Sequence, residues 1–112
     1  MDMGFLRMLG TYEERKVALY EDGDLCVDTV RVIDAVVPFE TGVSHPSFNN
    51  GEWVIVEEYS DSVAAKAGHK LWVEKMTADP MPQVLRDVSS ATVTRLKDDE
   101  IGGTDWREIE AK

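Results

Sequence analysis

Two hydrophobic rhythms meet between Glu52 and Met76. The run Glu52-Trp-Val-Ile-Val-Glu-Glu-Tyr59 is rich in β-branched and aromatic residues. It predicts a strand with Trp53 and Ile55 on one face and Val54 and Val56 on the other. Apolar residues on both faces predict a central strand covered on both sides. A Trp53 buried in such a strand would cost roughly 3–5 kcal/mol to remove.

From Ser62 the spacing becomes helical. Ala64, Ala65, Gly68, Leu71, Trp72 and Met76 fall on one arc at 100° per residue, with Lys66, Lys70 and Glu74 opposite. His69 borders the arc. Asp61 is placed as the N-cap, because its carboxylate can accept from the exposed amides of the first turn. Gly68 inside the arc costs roughly 1 kcal/mol in helix propensity, so a close backbone approach to the sheet is expected to compensate.

Upstream, Val17 and Leu19 alternate with Ala18 and Tyr20. Asp22-Gly23 then predicts a hairpin with a type I′ turn into Leu25, Cys26 and Val27. The apolar phase switches between Val27 and Val30, which predicts a bulge near Thr29. Pro38 cannot donate to a ladder, so it marks a strand start, an edge or a bulge before Phe39 and Val43. Ser44 to Gly51 reads as a loop, flanked by segments that pair antiparallel.

Downstream, Pro80 and Pro82 stop the helix. Val84 and Leu85 are expected to pack back on the domain. Ser89 or Ser90 can cap a second short helix reaching about Lys97. Asp98-Asp-Glu-Ile-Gly-Gly103 reads as an acidic, flexible stretch, with Trp106 able to pin the tail. The first ten residues hold Met3, Phe5, Leu6, Met8 and Leu9 around Arg7. This segment either covers the sheet or anchors a partner. Deleting residues 2–9 is expected to preserve the fold and weaken assembly.

These elements add up to an α+β fold. An antiparallel sheet of about four strands packs against one amphipathic helix, with a short C-terminal helix added. The expected organisation is an apolar arm over residues 1–10, a single domain over 11–97 and an acidic tail over 98–112.

A chain of 112 residues fits one domain. Its formal charge of −10 opposes direct nucleic-acid binding and anionic membrane surfaces; it suits docking onto a basic partner, while the default reading of such a balance is a solvated surface. Cys26 is the sole cysteine, which excludes an internal disulfide and a cysteine zinc cluster. No run is long enough to span a membrane, and the apolar start lacks the marks of a signal peptide. A soluble intracellular or virion protein is expected.

The polar candidates are Glu40, Thr41, His45 and His69. Imidazole and carboxylate together suit zinc or iron, which leaves a small metal-dependent enzyme as one reading. The two histidines lack paired ligand spacing, and no nucleophile or phosphate-cradling loop accompanies them. The favoured expectation has no cofactor. In it His45-Pro46 shapes the loop, and Glu40 and Thr41 bond to nearby backbone or to His69.

Four ordered segments carry a family resemblance. They are Tyr12-Glu-Glu-Arg-Lys16, Pro38-Phe-Glu-Thr-Gly-Val-Ser-His-Pro46, Trp53-Val-Ile-Val-Glu-Glu-Tyr59 and Ala67-Gly-His-Lys-Leu-Trp-Val73. With a short apolar start, Gly4 to Gly10, they resemble small uncharacterised proteins of tailed bacteriophages and prophages. Those proteins carry similar Glu-Thr-x-Val…His-Pro and Ala-Gly-His-x-x-Trp-Val motifs. The likeness runs from about Gly4 to Trp106. It departs at the helix start, where Asp61-Ser62-Val63 replaces a threonine followed by acidic residues. The resemblance implies a phage origin and no particular reaction. A structural or accessory interaction protein, partnering phage proteins or itself, is therefore expected. The alternative is an acidic inhibitor of a host defence or transcription protein.

Overall fold

The computed structural model describes residues 12–32, 37–89 and 107–112. A single helical turn, α1 (Tyr12–Arg15), leads into strands β1 (Lys16–Asp22), β2 (Leu25–Arg31), β3 (Phe39–Ser44) and β4 (Val54–Tyr59). Helix α2 (Ser62–Met76) follows, and strands β5 (Val84–Asp87) and β6 (Arg107–Glu110) complete the order. The four-stranded sheet is antiparallel in the order β1-β2-β3-β4 and packs against α2, and β5 pairs antiparallel with β6. The α+β expectation therefore holds. The expected second helix falls largely on residues 90–106 and the apolar arm on residues 1–10, both outside the described residues.

Strand alternation decides which side chains meet the helix. Leu25, Val27 and Thr29 of β2, Thr41 and Val43 of β3, and Val54, Val56 and Tyr59 of β4 are all buried. Their intervening neighbours face the other side, the open face of the sheet. Along β4 the alternation is interrupted. Thr41 pairs with Glu57 but Gly42 pairs with Ile55, so Val56 is an extra residue. This bulge brings Glu57 to the helix side beside Val56. A second irregularity lies in β1, between Lys16 and Ala18, opposite Val30 and Thr29. The expected bulge near Thr29 thus belongs to the neighbouring strand. β2 itself alternates regularly and sends Val30 to the open face.

Three further expectations are corrected. The Glu52–Tyr59 region forms an edge strand of the four-stranded sheet, not a central one. Trp53 precedes it and is 48% exposed. Trp53→Ala should therefore lower stability by about 1–2 kcal/mol in urea melts, well below the value for a buried tryptophan. At the first hairpin, Asp22 pairs with Leu25, so Gly23 and Asp24 occupy the turn, and only Gly23 takes a positive φ. Within the expected acidic tail, residues 107–110 form strand β6, whose Ile109 packs against the core together with the following Ala111.

Helix α2 begins where expected, with the Asp61 carboxylate accepting from the Ala64 amide at 2.8 Å. Its buried residues are Ala65, Gly68, His69 and Met76. Leu71 and Ala64, expected on the apolar arc, are exposed. The buried stripe is rotated towards His69 because the sheet surface beneath it carries hydroxyl groups as well as methyls.

The Ser44–Gly51 loop contains a residue of the deepest core. Phe48 is fully buried among Leu25, Val54, Met76 and Leu85 and their neighbours. Asn49, Asn50 and Gly51 take consecutive positive φ values of 52°, 55° and 84°, a tight reversal that asparagine and glycine tolerate best. The chain end is fastened to this loop by the Lys112 amide donating to the Ser47 carbonyl.

Candidate functional site

Between the sheet and α2 runs a line of side-chain hydrogen bonds. His69 Nδ1 lies 2.8 Å from Thr29 Oγ1. Thr29 Oγ1 lies 2.6 Å from Thr41 Oγ1, which lies 2.9 Å from the Tyr59 hydroxyl. The Tyr59 hydroxyl donates onward to Glu57 Oε1 at 3.4 Å, and the Trp72 indole N–H donates to the same oxygen at 2.7 Å. Thr29 and Thr41 are cross-strand partners in the β2–β3 register, so one ladder position sets the two hydroxyls together. With the proton on Nδ1, every donor can point the same way and the line ends on a carboxylate. A satisfied polar chain of this kind specifies one packing of helix on sheet.

Burial tunes the titratable members of the line. It pushes the Tyr59 phenol up to about 12, partly opposed by the bond with Thr41 and reinforced by Glu57. It pushes His69 below its ordinary value of 6.5. Folded His69 therefore resists the proton that the unfolded chain accepts. Its contribution is intact above pH ~6.5 and is lost as the pH falls through that value, until the folded imidazole also protonates. Urea melts from pH 8 to pH 5 should show the wild-type chain losing stability relative to His69→Gln below pH ~6.5. Parallel curves would place the imidazole in a solvated setting.

At the outer end of this line lies a cleft of about 430 Å³ between α2, β4 and β5. Trp72, Glu57, Lys75 and Arg86 contribute its polar lining. The Lys75 ammonium sits 4.3 Å from the centre of the Trp72 ring. The chain itself thus brings a cation, an indole and a carboxylate together.

The open face is different. A shallow groove of about 190 Å³ is lined by Asp28, Val30, Glu40, Gly42, Trp53 and Ile55. The Trp53 ring lies across Gly42, where an added Cβ would sit 3.2 Å from its Cε3. Leu19 is 40% exposed at the other end of the same face. Glu40 and Glu58 are cross-strand partners. Burial raises the carboxyls of Asp28, Glu40 and Glu58 above their ordinary range, and Glu58 and Asp87 raise Glu40 further. Asp28 has compensation from the Tyr12 hydroxyl, which donates at 3.1 Å, and from Lys16.

The four polar residues singled out in the sequence are thus divided. Thr41 and His69 share the buried line, joined through Thr29. Glu40 lies on the opposite face of the sheet. His45 lies in the loop, where its Nδ1 accepts from the Ser47 amide at 3.0 Å and its ring meets the edge of Phe48. Met3, Phe5, Leu6, Met8 and Leu9 lie outside the described residues. Thr29 and Tyr59 were not singled out, although Thr29 is in phase with Val27 and could have been placed inside on that ground.

Among the described residues, no group of three or more histidine, cysteine, aspartate or glutamate side chains is placed to hold a metal ion. The Cys26 thiol is pushed up to about 11, first by burial, so it is a poor nucleophile at neutral pH. Among those same residues, no helix is long and apolar enough to cross a membrane. No family model, no curated protein and no solved structure matches the chain.

Proposed function

We propose that this chain is a non-enzymatic interaction protein, a structural or accessory subunit of a tailed-phage particle or of its assembly pathway. One observation carries the docking role. The open sheet face presents Trp53 and Leu19 half-exposed beside the groove of Val30, Gly42 and Ile55. Exposed apolar surface rimmed by polar groups is the usual mark of a protein contact. On the helix side the polar groups are spent on one another, as a structural network requires. The phage assignment rests on the ordered sequence motifs that resemble phage and prophage proteins.

Mass spectrometry of purified virions, and of assembly intermediates from infected cells, tests this reading. The chain should appear there in defined proportion to a known structural subunit. Its absence from both would end the reading. Recovery with a host protein alone would favour an acidic inhibitor instead.

A further inference from the structure

Resting on the docking reading above, we infer that the open face receives an arginine- or lysine-bearing stretch of a partner protein. The cationic side chain lies across the Trp53 indole between the carboxylates of Asp28 and Glu40. The groove supplies three complementary parts. Val30 and Ile55 accept aliphatic stems, the exposed indole offers a π face, and the charged groups among the described residues lining the groove are both acidic. One side of the indole is taken by Gly42, which leaves the other for a ligand.

The protein supplies its own comparison on the opposite side of the sheet. There Trp72 combines an indole, the Glu57 carboxylate and a cation, Lys75. Trp53 has an indole and carboxylates, but among the described residues no cation stacks on it. The ion pairs among those residues are Lys16–Glu13 and Arg107–Asp87, and neither involves Glu40. Burial, Glu58 and Asp87 each penalise the charge on the Glu40 carboxyl, an effect that an incoming cation would oppose.

Charge also selects against other occupants. A second copy docked face to face by a two-fold axis would bring the same acidic patch, Asp28, Glu40 and Glu58, from each partner into one interface. A phosphate backbone meets the same repulsion on a chain of net charge −10. A basic protein segment is the occupant that the lining complements.

The test uses the full ¹⁵N-labelled chain and the blocked peptide acetyl-Leu-Arg-Leu-Arg-amide, followed by NMR at physiological ionic strength. The expected result is saturable shifts confined to the Trp53 indole and the open face of β2, β3 and β4. Replacing both arginines by glutamine should abolish them. Trp53→Ala and Glu40→Gln should each weaken binding about tenfold, whereas Glu74→Gln on α2, with the same loss of charge as Glu40→Gln, should not. Absence of saturable shifts, shifts scattered over acidic residues generally, or equal weakening by Glu74→Gln would overturn the inference. If the chain is found in virions but the peptide fails, the inference falls and the docking role stands. If the peptide binds at the groove but the chain is absent from particles and intermediates, the phage assignment falls and the groove stands.

Discussion

Phe48→Ala is expected to cost about 3–5 kcal/mol, the largest loss from any single truncation among the described residues. Phe48 belongs to a loop, yet its ring is fully buried in a core cluster drawn from the sheet, the helix end and β5. The backbone around it cannot readily collapse into the space left behind. The Phe48 amide donates to the His45 carbonyl, Gly51 donates back to the Phe48 carbonyl, and three consecutive residues hold positive φ. Lys112 also caps the region through the Ser47 carbonyl and the Asn50 side chain. Urea unfolding followed by circular dichroism reads the loss directly. A change under ~1 kcal/mol would mean that the ring is dispensable and the loop is not part of the core.

Gly68→Ala is the second large effect, and its sign is opposite to helix propensity. On an exposed helix the change would stabilise by roughly 1 kcal/mol. Here a Cβ on Gly68 would overlap the ring and hydroxyl of Tyr59. Either α2 lifts from the sheet or Tyr59 swings away from Thr41 and Glu57. Overpacking of this kind, with hydrogen bonds lost beside it, should leave a net loss of about 3 kcal/mol. Tyr59→Phe in the Gly68→Ala background should recover part of that loss, because the hydroxyl is one of the clashing atoms. A Gly68→Ala chain as stable as the parent in urea melts would show that the helix–sheet spacing is looser than described.

Much of the fold was legible in the residue pattern. The period-2 runs of β1 and β4, the Asp61 cap and the helical spacing to Met76 are local properties, encoded within a few positions of where they act. Gly68 was legible too, since a glycine inside an apolar arc needs a compensating close approach. The candidate site was only half legible. Thr41 and His69 were singled out, but their link, Thr29, sits 40 positions from His69. It is found only when the β2–β3 register is known.

The sequence by itself determined the type of the main elements between Lys16 and Met76, the main helix boundaries and the acidic, cysteine-poor composition, because each follows from neighbouring residues or from composition. Tertiary structure alone decided the rest. It made β4 an edge strand and left the sheet face that carries Trp53 open to solvent. It inserted Val56 as a bulge, which turns Glu57 towards Trp72. It drew Phe48 out of a polar loop into the core and joined Thr41 to His69 through Thr29. The physical reason is common to all four. A residue's pattern states which neighbours share its face, but which face is covered, and by what, depends on pairings between distant segments.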